Sequence, residues 1–393
     1  MKLKEFLGSV DEMSKNIYAD DIVVEHRHNN SKREFLFVNK SQCKHIAGSP
    51  TVMIAMCKEL VKQVNLTLSM YHGDVLVIAF AETATAIGNI VADNLDKCTC
   101  VLQTTREEID GIDKFLSFEE EHSHATTHSL YIRDEIDINS YDYILFIDDE
   151  ISTGKTILNF IDALNRKGIN KKYGVASICN WQNEGSKDLF KDKGIDRFYL
   201  LGGNLDTIKY IDWSNVEFGD EVRYVDTHVE YYPTFNIDKV ILGDTFKNER
   251  IGHKTNRDLS SVYNVIDRII TDSDDRVRII GTEEFMYIPI KVGEYIENNY
   301  ECTVLCHATT RSCIDTTIVN RGKYAFRDRL VQRYRVPSIY DYNRDTFIYN
   351  LNEPVDKIII ITDKQPSQKY LEFISNTFGT KAYSKEVFII YVE

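Results

Sequence analysis

Short runs of β-branched and other apolar residues alternate with helix-patterned stretches along almost the whole chain. Residues 75–80, 99–104, 143–147, 174–179 and 198–201 read as strands. Several lack the apolar–polar alternation of a half-exposed strand, which predicts a sheet covered on both faces. Helical patterns lie between them at 52–64, 84–94 and 156–167. The same grammar restarts with strands at 277–280, 303–306, 357–361 and 387–392, and with helices at 283–298 and 367–378. This alternation predicts an α/β fold: a Rossmann-like parallel sheet followed by a second Rossmann-like α/β domain. Residues 225–237 are aromatic and polar without a period and include Pro233, so the boundary is placed there, giving 1–232 and 233–393. A chain of 393 residues is long enough for two such domains.

Composition narrows the function classes. An apolar fraction of 43% with 27% charged residues is that of a folding chain rather than a disordered one. A net charge of -14 repels nucleic acid, which points to small-molecule partners. No apolar run reaches the ~20 residues of a membrane span, and Met1 to Glu5 do not begin a signal peptide, so a cytoplasmic protein without membrane partners is expected. Eight cysteines without a CxxC pair indicate reduced, buried thiols. The group Cys302, Cys306, His307 and Cys313 fits no zinc module.

The most informative chemistry is in residues 143–157, YILFIDDEISTGKTI: an apolar strand, two adjacent acids, a small-residue loop and a helix start. Thr153, Gly154, Lys155 and Thr156 set backbone N–H groups and hydroxyls at a helix N-terminus, where a phosphate dianion is favoured. Asp148 and Asp149, at the carboxyl end of the strand, suit the vicinal hydroxyls of a ribose. A Walker A loop shares the Gly-Lys-Thr ending but needs its first glycine where this chain has Asp149, whose charge would repel the phosphates. A ligand-free strand, acid turn and helix cap is the remaining reading of these residues.

This run resembles the 5-phosphoribosyl-1-pyrophosphate (PRPP) motif of type I phosphoribosyltransferases. The resemblance implies that Asp148 and Asp149 hold the ribose hydroxyls and help bind Mg²⁺, and that Ser152, Thr153, Gly154, Lys155 and Thr156 cradle the 5-phosphate. Purine-salvage members usually carry an aspartate at the place of Ser152. Its absence points to an orotate-like or other non-purine acceptor. Residues 77–92, VIAFAETATAIGNIVA, stand where such enzymes carry their pyrophosphate loop, with Ala81, Glu82 and Thr83 at the turn. Arg106 leaves the next strand and can grip a diphosphate bidentately or pair with Glu107 or Asp110. His122, His124 and His128 lie in a polar segment that suits a lid, a solvated loop or a metal site. In the first of these readings His122 and His124 stabilise departing pyrophosphate.

Together these segments resemble a two-domain subgroup with a C-terminal Thr-Arg-Ser-Pro domain, associated with bacterial tellurium-resistance and stress-linked biosynthetic clusters. The second half carries GTEEFMYIP at 281–289 and ATTRSCI at 308–314, with Cys313 in place of the proline. Gly281, Glu283, Thr310, Arg311 and Ser312 fall at strand ends and are candidate ligands of a second-domain site. The resemblance implies PRPP- and Mg²⁺-dependent phosphoribosyl transfer to a nitrogenous base with release of pyrophosphate, in a homodimer. A non-catalytic PRPP or nucleotide sensor and a second catalytic step in the C-terminal half are the rival readings.

Overall fold

The computed structural model describes residues 20–28, 30, 33–119, 127–207, 213, 218, 221–222, 235–240, 249–316, 332–351, 353–378 and 384–393. An antiparallel pair comes first, β1 (Ile22–His26) with β2 (Phe35–Asn39). The first sheet is built from β3 (Val75–Ala79), β4 (Cys98–Thr105), β5 (Lys114–Glu119), β6 (Thr127–Tyr131), β7 (Tyr143–Ile151), β8 (Lys172–Asn180) and β9 (Asp196–Gly202). Its order is β5-β6-β4-β3-β7-β8-β9. The five strands from β4 to β9 in that order are parallel, and β5 and β6 extend the edge antiparallel. Among the described residues four helices accompany this sheet: α1 (Pro50–Leu68), α2 (Ala84–Asn94), α3 (Lys155–Arg166) and α4 (Glu184–Asp192). The first starts at a proline behind the cap Ser49, whose side chain accepts from Val52 N.

After β10 (Glu221–Val222), the second half opens with β11 (Phe235–Val240) and β12 (His253–Lys254), followed by α5 (Ser260–Ile269), β13 (Arg276–Gly281) and α6 (Tyr287–Asn299). It closes with β14 (Thr303–Ala308), β15 (Arg333–Pro337), β16 (Asp345–Tyr349), β17 (Val355–Thr362), α7 (Gln368–Phe378) and β18 (Ser384–Val392). Its main sheet is parallel throughout, in the order β11-β18-β17-β13-β14. The α/β class expected from the apolar runs is therefore the class observed, twice over. Among the described residues no helix is long and apolar enough to cross a membrane.

The halves are joined more closely than two separate cores would be. Strand β12 leaves its own half to pair antiparallel with β4, and one apolar cluster runs from Met53, Leu60 and Ile87 to Ile290, Ile296 and Ile390. Gly293 on α6 lets α1 approach so closely that a Cβ there would strike the Pro50 ring. Helix α6 also starts four residues later than the pattern predicts, at Tyr287 rather than residue 283. Residues Thr282 to Phe285 form a tight turn instead, with Glu283 in the left-handed region at φ 54°.

Candidate functional site

Strand β7 runs four residues beyond its expected end, so Asp148 and Glu150 are held in register opposite Ser177 and Cys179 of β8. The chain then turns through Ser152 and Thr153 into α3, and Gly154 makes the turn at φ 76°. A side chain is excluded there twice over. The left-handed conformation disfavours it, and a Cβ would run into the Phe190 ring and come within 2.9 Å of Gln182 Nε2. Gly154→Ala is therefore expected to cost about 2 kcal/mol, which chemical denaturation would read.

The N-terminus of α3 opens into a cleft with about 180 Å³ accessible to water. Asp148, Asp149, Ser152, Thr153, Gly154, Lys155 and Thr156 line one side, and Ala81, Glu82, Thr83 and Arg106 line another. These residues, scattered over 76 positions of the sequence, meet because β3, β4 and β7 are adjacent parallel strands that end at the same edge. The wall also includes Arg27, Arg33 and Leu36 from the β1–β2 segment and Ser312 from the second half. Arg33 pairs with Glu150 at 2.5 Å. Burial raises the Glu150 pKa, against the opposing pull of Arg33.

The turn after β3 is polar in an unexpected direction. The Ala81 N–H donates inward to Thr104 Oγ1 at 2.9 Å, leaving the amides of Glu82 and Thr83 as the donors the turn can offer a ligand. The Glu82 carboxylate, in contact with Lys44 Nζ at 2.6 Å and Arg106 at 3.9 Å, also accepts from the Arg311 N–H. Burial works against its charge, but Lys44, Arg311 and Arg106 outweigh burial and hold its pKa at about 2. Thr104 also meets His128 Nδ1 at 3.1 Å, and Arg106 Nε donates to His128 Nε2 at 3.4 Å. His128 thus sets the Arg106 side chain, whereas His122 and His124 lie outside the described residues.

The second-half candidates divide. Ser312 joins the cleft, while Arg311 turns to Glu283, with Nε 2.6 Å from Oε2, and to Glu107. Glu283 also accepts from Ser338 and Arg344. Gly281 accepts the Thr309 N–H, and Thr310 exchanges backbone hydrogen bonds with Phe347 while accepting from Ser312 N. Lys44, Glu284 and Tyr340 were not singled out from the sequence. Lys44 and Glu284 are almost completely buried, and Tyr340 donates to Asp363 at 2.5 Å. Nothing local marks them, since each acts on residues far away in the chain.

Comparison with known proteins adds the following. Residues 24–195 match a family model described as phosphoribosyl transferase. Residues 248–377 match the TRSP domain model, described as C-terminal to that transferase. No curated protein matches the chain. Adenine phosphoribosyl transferase from Trypanosoma brucei, solved with AMP, pyrophosphate and ribose-5-phosphate, is 14% identical over 48% of this chain and 78% of its own, with a TM-score of 0.35. Adenine phosphoribosyltransferase from Leishmania donovani is 16% identical over 51% and 82%, with a TM-score of 0.36. Orotate phosphoribosyltransferase from Aeropyrum pernix is 14% identical over 48% and 89%, with a TM-score of 0.30.

Proposed function

With a phosphoribosyl transferase domain at residues 24–195 as the premise, we propose that the chain moves the phosphoribosyl group of PRPP to a non-purine base in the cleft described above. That domain makes it an enzyme of the pentosyl-transferring class. The observation that carries the proposal is the meeting of an acid pair, a helix N-terminus and the 81–83 turn in one cleft.

The roles follow from the geometry. Amides and hydroxyls of Ser152 to Thr156 hold the 5-phosphate, and Asp148 and Asp149 accept from the ribose hydroxyls. Amides of Glu82 and Thr83 face the diphosphate together with Arg106, whose charge offsets what develops on departing pyrophosphate as the C1–O bond lengthens. No side chain is needed as a nucleophile, so positioning supplies much of the rate. Among the described residues no cluster of three or more His, Cys, Asp or Glu forms a metal cage. Two cleft carboxylates nevertheless fit Mg²⁺, which binds through one or two carboxylates plus substrate oxygens. Asp148 and Asp149 would hold it, and it would supply charge neutralisation at the diphosphate.

The acceptor would enter against Arg27, Arg33, Leu36 and Ser312. With Ser152 in place of a purine-handling aspartate, an orotate-like or other non-purine base fits this wall, its product a nucleotide-like metabolite of the stress-linked kind. The division at 232/233 and a homodimeric state are part of the same proposal. The test is pyrophosphate release from PRPP across a panel of bases. Release dependent on a base is the expected result, and PRPP binding without release by any base would instead leave a sensor. Arg27→Gln is expected to raise the KM for the active base about tenfold while leaving that for PRPP within twofold, as steady-state kinetics would read.

A further inference from the structure

One buried acidic residue of the second half touches both segments that line the diphosphate end of the cleft, one through its carboxylate and the other through its backbone carbonyl. Glu284 has no solvent exposure. Its Oε1 accepts from the Arg106 N–H at 2.8 Å, and its Oε2 accepts from Thr105 Oγ1 at 2.5 Å and from Arg250 Nε at 3.0 Å. Its backbone carbonyl accepts from Thr85 Oγ1 at 2.7 Å, in the first turn of α2 directly after the 81–83 turn. Burial works against its charge, and Arg250 and Arg311 outweigh burial to keep the carboxylate ionised. A charged acceptor in a dry site makes stronger hydrogen bonds than a neutral one, and losing it leaves buried donors without a partner.

These contacts have a direction. The carboxylate fixes the backbone at Arg106, and His128 fixes its side chain. The carbonyl fixes the helix start that follows Ala81, Glu82 and Thr83. Thr105 closes the arrangement, since its hydroxyl donates to Glu284 while accepting from Glu107 N at 3.0 Å. Nothing in this set reaches the phosphate loop at Ser152 to Thr156.

We propose that Glu284 is a positioning residue through which the second half sets Arg106 and the 81–83 turn for the diphosphate of the substrate. This rests on the phosphoribosyl transfer reading of the cleft. It gives the C-terminal half a part in the first site itself: its strand-end turn is the outer support of the diphosphate pocket.

The test measures binding of three ligands by calorimetry with Mg²⁺ present, using the full chain: PRPP, pyrophosphate and ribose 5-phosphate. In Glu284→Gln, PRPP and pyrophosphate are expected to bind about tenfold more weakly or worse, with ribose 5-phosphate within twofold of wild type. Thr105→Val, which removes one donor to the same carboxylate, should shift the same two ligands in the same direction by less. It carries the test if Glu284→Gln does not fold. In an Arg106→Gln background, Glu284→Gln should change pyrophosphate affinity little, because its effect passes largely through Arg106. Equal weakening of all three ligands, or unchanged PRPP affinity in a folded variant, overturns the inference. Failure of wild type to bind either PRPP or ribose 5-phosphate overturns the phosphoribosyl reading instead.

Discussion

Asp149→Asn is expected to weaken PRPP binding about 100-fold, the largest functional effect of any single change to the cleft. A carboxylate accepting from a ribose hydroxyl makes a charge-assisted bond, and hydrogen bonds to charged groups contribute about 1.5–3 kcal/mol each. Asparagine keeps the size but removes the charge, and with it any share in holding Mg²⁺. The neighbouring backbone should survive the change, because Asp149 lies on a strand paired with β3 and β8 and its own N–H donates to Asp148 Oδ1 at 3.0 Å, a bond that asparagine at 149 keeps. Titration of PRPP into the variant, with a denaturation curve as control, separates lost binding from lost folding. Asp148→Asn should behave in the same way.

Lys44→Met is expected to destabilise the protein by about 3–5 kcal/mol, the largest stability effect of a single change. Lys44 is 1% exposed and lies 2.6 Å from the Glu82 carboxylate, and its ammonium also donates to the carbonyls of Glu283 and Thr309 at 2.7 and 3.2 Å. Removing one partner of a buried pair strands the other charge, which is why the cost exceeds that of the lost contact. The pH dependence carries a sign. The Glu82 pKa is depressed from 4.5 to about 2 in the folded protein. Its contribution is therefore fully present above about pH 4.5 and is lost as pH falls toward 2. The deficit of Lys44→Met should accordingly be largest at neutral pH and narrow in acid. Urea denaturation at pH 7 and pH 4 checks this, and a deficit of equal size at both would indicate a packing loss alone.

How much could be read beforehand depended on how local each feature is. The parallel strands were legible because runs such as Val75 to Ala79, buried on both faces, contain no polar residue. The phosphate loop was legible because its acids, glycine and hydroxyls are contiguous. The β1–β2 pair was not, since IVVEH and FLFVN are short and their burial does not alternate. The sequence pattern extends α6 back to residue 283 because Glu283 and Glu284 are good helix formers. In the fold, the Thr282–Phe285 turn and the pairing of Glu283 with Arg311 take precedence over that preference. Lys44 and Glu284 were illegible for a different reason: their partners are supplied by the docking of two halves, which no window of sequence contains.

That Asp149 stands where a nucleoside-triphosphate loop would need glycine makes one comparison decisive. Wild-type protein should be titrated by calorimetry with PRPP and, separately, with ATP, each with Mg²⁺ present. A cleft built for a sugar phosphate binds PRPP saturably at one site and ATP at least about tenfold more weakly, since the acids that receive ribose hydroxyls repel a triphosphate. Binding of ATP as tight as PRPP, or no binding of PRPP, would contradict the account.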